Sequence, residues 1–248
     1  MRLLELHAPH TPELTLVLLH HAGGSAAGYR DFLSHLPAHW RVLALELPGR
    51  VHTSKQRGCR SAAEVTELLL PVLESEVAGH YAVFGHSMGA LVAFELVRVL
   101  ERLGRAPLWL GLSGSPAPET GPPATEQRHT WPHERLVHFM RRLGGTPEGV
   151  WHHPVLAERM VRTMRWDLEV VDTYRHPGGH PLTTPVSLFA GEADPLVPPE
   201  RIRRWHAHLH NAIAFHSLPG GHFYLFEHTA DLCRRIVHDI TTSRPASS

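Results

Sequence analysis

The sequence predicts an α/β fold in which helices flank a mostly parallel central sheet. Short, nearly continuous apolar runs recur along the chain, and segments of helical period separate them. Strands that are apolar at almost every position are covered on both faces, as in a parallel sheet packed between helices. The runs are Thr15–Leu19, Val42–Leu45, Tyr81–Phe84, Leu108–Leu112, Val186–Ala190 and Ala212–Phe215. Helical patterns cover Ala62–Glu76, Met88–Leu103, with Gly104 as its stop, and Asp231–Ile240.

One stretch breaks the alternation. From Gly114 to Leu182 a turn-rich segment, Ser115–Pro123, precedes two helical patterns, Arg135–Leu143 and Leu156–Tyr174, with no strand evident. The stretch reads as a helical insertion rising from the carboxyl edge of the sheet, within a single domain covering 1–248. The small polar residues 241–248 read as a frayed tail.

Composition narrows the function. Lys and Arg together number 24, as do Asp and Glu, so bulk charge offers nothing to nucleic acid. Two cysteines, Cys59 and Cys233, cannot build a disulfide framework, and finger spacing is absent. No stretch approaches the roughly 18 apolar residues of a membrane span, and the start of the chain turns polar too early for a signal peptide. A cytoplasmic monomer is expected. Histidine is abundant, at 23 residues, but its groupings (His20 with His21, His152 with His153, and His206, His208, His210) lack a third ligand or carboxylate at metal-site spacing. No metal or cofactor is expected. Arg50, Lys55, Arg57 and Arg60 form a basic stretch that reads as a solvated loop, open to a phosphate or an acidic partner.

The chemistry is concentrated in Tyr81-Ala82-Val83-Phe84-Gly85-His86-Ser87-Met88-Gly89-Ala90. A strand, Gly-x-Ser-x-Gly and a helix follow in that order, which is the context of a nucleophile elbow. The two glycines let strand and helix crowd together, and Ser87 takes strained angles that expose its hydroxyl. A serine hydroxyl needs a base, and the base needs a carboxylate to orient it, in the order Ser, acid, His. Asp194 follows the run Val186–Ala190 in Gly191-Glu192-Ala193-Asp194-Pro195, whereas Glu192 points elsewhere and Asp167 and Asp172 sit in the insertion. A helix cap near Pro199 is the competing role for Asp194. His222 follows the last strand on Gly220-Gly221, while His216 lies on that strand and His228 comes too late. The oxyanion donors are read as the N–H of Met88, which follows the nucleophile, and that of Ala22 in His20-His21-Ala22-Gly23-Gly24, which follows the first run.

At His21-Ala22-Gly23-Gly24-Ser25-Ala26, Leu47-Pro48-Gly49-Arg50, Gly85-His86-Ser87-Met88-Gly89, Gly191-Glu192-Ala193-Asp194-Pro195 and Gly220-Gly221-His222-Phe223, the chain resembles the type II (external, editing) thioesterases of polyketide and nonribosomal peptide synthesis. The resemblance spans nearly the whole chain. It implies the α/β-hydrolase fold, with Ser87 as nucleophile, His222 as base, Asp194 as orienting acid, Ala22 and Met88 as oxyanion donors, and the insertion as a mobile lid. It also implies a substrate, an acyl group on the phosphopantetheine arm of an acyl carrier protein or peptidyl carrier domain. The chain departs from the family pattern at Leu19-His20, where Phe-Pro is usual, at Leu47, where an aromatic is common, and at Val51-His52-Thr53. These departures spare the triad positions and bear on the carrier-docking surface and the access channel. Competing expectations are an esterase or lipase acting on oxygen esters and an inert, hydrolase-like binding protein.

Overall fold

The apolar runs do become strands of one sheet, the first five as inner strands and Ala212–Phe215 at an edge. The computed structural model describes residues 1–50, 56–118, 126–146 and 148–243. Its strands are β1 (Arg2–His7), β2 (Leu14–Leu19), β3 (Trp40–Glu46), β4 (Tyr81–His86), β5 (Trp109–Ser113), β6 (Val186–Gly191) and β7 (Ala212–Leu218). They form one sheet in the order β1-β3-β2-β4-β5-β6-β7. Every neighbouring pair is parallel except β1 with β3. All six residues of β2 are buried, as a strand covered on both faces requires.

β1 escapes the apolar-run criterion for a physical reason. It is an edge strand, with only Leu3 buried and with Arg2 and Glu5 carrying charge outward. Leu3 pairs with Leu45 in antiparallel register, and Arg41 donates to the Glu5 carboxylate at 2.7 Å. The chain's polar beginning is therefore a strand.

Helices cover both faces. On one face lie α1 (Ala62–Glu76) and α2 (Met88–Arg102), contributing Val65, Leu69, Leu73, Ala93, Phe94 and Leu96 to a common core with β2, β3 and β4. Ser61 caps α1 by accepting the N–H of Glu64 at 3.1 Å, while Glu64 accepts the N–H of Arg60 at 2.8 Å. On the other face lie the 3₁₀ segment Ala26–His35, which the sequence reading missed, and the last helix, α7 (Thr229–Thr242). Tyr29 and Phe32 from the first meet Leu232, Cys233, Ile236 and Ile240 from the second. Thr241 and Thr242, expected to fray, continue α7, and 244–248 lie outside the described residues.

Between β5 and β6 stand α3 (His133–Leu143) and α4 (Pro154–Asp172). Their facing residues Leu136, Met140, Val161, Met164 and Leu168 form a small core of their own. The chain rejoins the sheet region where Leu182 bridges to Leu209. Residues 119–125, which take in the second half of the turn-rich segment Ser115–Pro123, lie outside the described residues. Two short helices complete the fold, α5 (Pro199–Arg203) after β6 and α6 (Tyr224–Glu227) after β7. No described helix is long and apolar enough to cross a membrane.

Candidate active site

Ser87 sits between the end of β4 and the start of α2 with φ 56° and ψ −117°, the only positive-φ non-glycine among the described residues. Such a conformation costs about 1–3 kcal/mol and persists only where the surroundings enforce it. The surroundings are visible. A Cβ on Gly85 would stand 2.2 Å from the Gly89 carbonyl oxygen, and one on Gly89 would stand 2.1 Å from that of Leu19. Strand and helix are thus packed backbone to backbone. The Ser87 N–H donates to the Ser113 carbonyl at 2.7 Å, which ties the elbow to β5.

The other two predicted residues converge on it from the carboxyl ends of β6 and β7. Ser87 Oγ lies 3.1 Å from His222 Nε2, and His222 Nδ1 lies 2.7 Å from Asp194 Oδ2. A carboxylate only accepts, so Nδ1 carries the proton and Nε2 is left to accept from the serine hydroxyl. His222 and Asp194 are both buried, with side chains 3% and 0% exposed, so water does not compete for this bond. The remaining oxygen of Asp194 accepts the N–H groups of Leu196 and Val197 at 2.8 and 3.1 Å. Asp194 therefore caps its own turn, while Pro198 occupies the N-cap of α5. Glu192 is exposed, and His216 is held by Asp239 at 2.7 Å, so neither competes for a place in the site.

One sequence reading is extended and another changes. Asp167 and Asp172, set aside because no strand end holds them, are buried structural acids. Asp172 accepts Arg128 at 2.9 Å and the His129 N–H at 2.9 Å. Asp167 accepts Arg50 at 2.5 Å and the Gly23 N–H at 2.7 Å. Arg50 is consequently not a solvated loop residue, and both partners of this ion pair are nearly inaccessible, at 3% and 2%. Arg60 meets Glu169 at 2.5 Å, and Lys55, like Val51, His52 and Thr53, lies outside the described residues. The pairing was hidden because 117 residues separate Arg50 from Asp167.

His86, the variable residue before Ser87, is a further neighbour that the motif did not single out. Its ring centre lies 5.0 Å from that of His222, and its Nδ1 lies 2.8 Å from the Ser113 hydroxyl, itself 2.5 Å from Tyr224 Oη. Burial holds His86 and His20 well below the ordinary imidazole range and brings His21 down to about 4. All three are neutral near pH 7, so none of them adds a positive charge beside His222. Burial also raises the thiols Cys59 and Cys233, to about 11 and about 12, leaving them unreactive.

Ala22, His21, Ser87, His222 and Phe223 line a cavity of about 40 Å³ walled by Met164 and Leu168 of α4. A larger pocket of about 450 Å³ is lined by Gly23 together with Leu6, Val150, Leu156 and Met160. Met164 Cε and Met160 Sδ stand 2.9 and 3.9 Å from where a side chain on Gly23 would begin. Flexible thioether side chains thus stand against this backbone, Met164 lining the smaller space and Met160 the larger. Met88 is the first residue of α2, and the amides of a helix's first turn have no acceptor within the helix. Among the described residues no three metal-ligating side chains converge.

The family model described as thioesterase domain matches residues 14–240. The chain belongs to the thioesterase family. It is a hydrolase of thioesters with the α/β-hydrolase fold, similar to the type II thioesterases of polyketide and nonribosomal peptide pathways. Thioesterase PikA5 of Streptomyces venezuelae is 32% identical over 97% of this chain and 85% of its own length. The type II thioesterase BorB from the borrelidin biosynthetic cluster superposes with a TM-score of 0.86 at 33% identity, over 96% of this chain and 97% of that one. YbtT, a type II thioesterase from the yersiniabactin NRPS/PKS pathway, superposes at 0.87 with 25% identity, over 98% and 99%. These likenesses favour the thioesterase over the oxygen-ester hydrolase and the inert binding protein.

Proposed function

We propose that this thioesterase releases acyl groups from the phosphopantetheine arm of carrier proteins through an acyl-serine intermediate, with Ser87 as nucleophile, His222 as general base and Asp194 as its orienting acid. The single observation that carries the reading is the unbroken relay from Asp194 Oδ2 through both nitrogens of His222 to Ser87 Oγ, at 2.7 and 3.1 Å. His222 Nε2 takes the hydroxyl proton as Oγ attacks the thioester carbonyl, and the carbonyl π pair moves onto oxygen. The N–H groups of Ala22 and Met88 receive that oxyanion. Collapse expels the pantetheine sulfur, which takes the proton from His222 and leaves as the thiol. Water then repeats the sequence on the acyl-serine, giving up one proton through His222 to Ser87 Oγ and leaving a free acid. Asp194 keeps Nδ1 protonated and offsets the imidazolium charge at each step.

Polyketide- and peptide-bound carriers are the proposed partners because BorB and YbtT are described as type II thioesterases of such pathways. The pocket of about 450 Å³ beside Gly23 is the space proposed for the part of the substrate that a 40 Å³ cavity cannot hold. The test is a panel of acyl-carrier proteins against a simple aryl ester, with Ser87→Ala as control. Carrier-bound thioesters should be preferred, and Ser87→Ala should release no acyl group above the uncatalysed rate. Equal use of the aryl ester without carrier preference overturns the partner. Wild-type turnover by Ser87→Ala overturns the mechanism.

A further inference from the structure

The ion pair of Arg50 with Asp167 grips the loop that carries Ala22, and Arg50 also lines the pocket of about 450 Å³ beside that loop. Asp167 Oδ2 accepts the Gly23 N–H at 2.7 Å and Arg50 Nη2 at 2.5 Å. Arg50 Nε donates to the Gly24 carbonyl at 2.9 Å, and its Nη1 donates to the Pro48 carbonyl at 3.3 Å. The peptide group just before Gly23 and the one just after Gly24 are therefore both anchored to the same buried pair. On the near side, the His21 carbonyl accepts the Gly24 N–H at 3.0 Å and His20 Nδ1 at 2.8 Å. In a trans peptide the N–H of Ala22 points opposite to that carbonyl. With the carbonyl bound on one side, the Ala22 N–H faces the other, and Ala22 lines the cavity that contains Ser87. The loop has few conformations left once the four bonds to its own atoms are made.

Asp167 belongs to α4, the helix whose Met164 and Leu168 wall that same cavity. Wall and anchor are thus parts of one rigid element. The triad residues have no such tie, since Ser87 hangs from β4 and β5, and Asp194 and His222 follow β6 and β7.

We propose that Asp167 and Arg50 are positioning residues for the oxyanion hole, which make the aim of the Ala22 N–H depend on where α4 sits over the acyl group. This inference rests on the assignment of Ser87 and Ala22 given above. An acyl chain that lets α4 settle keeps the donor aimed, and one that displaces α4 withdraws it. Acyl selectivity then enters through kcat as well as through binding.

The test compares wild type with the double variant Arg50→Met/Asp167→Leu and with Asp167→Asn. The double variant leaves no buried charge unpaired, which favours folding. Asp167→Asn separates the two roles of the carboxylate, keeping an oxygen for the Gly23 N–H while removing the counter-charge of Arg50. For each, kcat and KM are measured on one acyl thioester, together with the inhibition constant of an alkyl boronic acid, whose tetrahedral serine adduct places an oxygen in the hole. Loss of one oxyanion donor costs about 10²–10³-fold, so a misaimed one should lower kcat about 10–100-fold. KM should stay within about twofold, and boronate affinity should fall by the same factor as kcat. Asp167→Asn should lie between wild type and the double variant. Unchanged kcat and boronate affinity in a folded variant, with only a lower melting temperature, overturn the proposal and leave the pair purely structural. Turnover by Ser87→Ala in the same assay would instead overturn the underlying assignment.

Discussion

Gly89→Ala tests whether the close approach of α2 to β2 sets the catalytic geometry. A Cβ there stands 2.1 Å from the Leu19 carbonyl oxygen and 2.8 Å from that of His20. Ordinary contact begins near about 3.5 Å, so the shortfall is about 1.4 Å, and both atoms met are backbone that no rotamer change can remove. Two effects oppose. Alanine is the better helix former by about 1 kcal/mol in a helix interior, and by less at the second helical position. Overpacking costs about 1–3 kcal/mol, at the upper end where backbone must move. Net destabilisation of about 2 kcal/mol follows, a fall in Tm of about 4–8 °C for a chain of this size. The larger effect falls on catalysis. The first turn of α2, with Ser87 and the Met88 amide, must give by about 1 Å, and a displacement of that size costs on the order of 10²-fold in rate.

Gly79→Ala supplies the control. Gly79 has φ 74°, and a Cβ there would meet no atom within 4 Å, so alanine is strained by about 1–2 kcal/mol without touching the site. Both variants should melt earlier by calorimetry, and only Gly89→Ala should lose kcat/KM on an acyl thioester. Gly89→Ala within threefold of wild-type kcat/KM would refute the claim that this contact sets the elbow.

Asp194→Asn retains an oxygen for the Leu196 and Val197 amides but removes the charge facing His222 Nδ1. It should fold normally by circular dichroism and lose about 10⁴-fold in kcat, as triads of this type do; a tenfold loss would exclude Asp194 as the orienting acid. Stability should fall on acidification, because His20, His21 and His86 are held neutral in the fold while the unfolded chain binds protons near 6.5. Their contribution is fully present above about 6.5 and is lost as pH falls through the folded value, about 4 for His21, at up to about 1.4 kcal/mol per pH unit for each histidine. Urea unfolding at pH 7.5, 6 and 5 checks the sign, and a flat profile would contradict it. Trp109→Phe removes the donor from Nε1 to Ser187 Oγ at 2.9 Å, where Ser187 in turn donates to Asp239 at 2.6 Å. About 1–2 kcal/mol of stability should go, seen as a lower urea midpoint, with kcat/KM unchanged.

The inner strands and the converging triad were legible because each leaves a local mark. β2 and β4 are apolar in succession, Ser87 has its glycines two residues to either side, and His222 follows a Gly-Gly pair beyond the last apolar run. What was illegible lacks such a mark. β1 mixes charge with leucine because only one of its sides meets another strand, and the 3₁₀ segment Ala26–His35 buries Tyr29 and Phe32 without a clean helical period. The partnership of Arg50 with Asp167 depends on how α4 lies across the loop after β2, a tertiary fact that no spacing encodes. His86 passed unnoticed because the motif treats its position as free, although its ring packs against that of the base.

The tether of the Ser87 amide to the Ser113 carbonyl has a consequence for diversification. The cutting group is bolted to the frame, and the pocket wall is a detachable fitting. Substitutions along α3 and most of α4 can recut the recess for longer, branched or polar chains without disturbing the blade. Position 167 is where that freedom ends, because a change there reaches back into the frame.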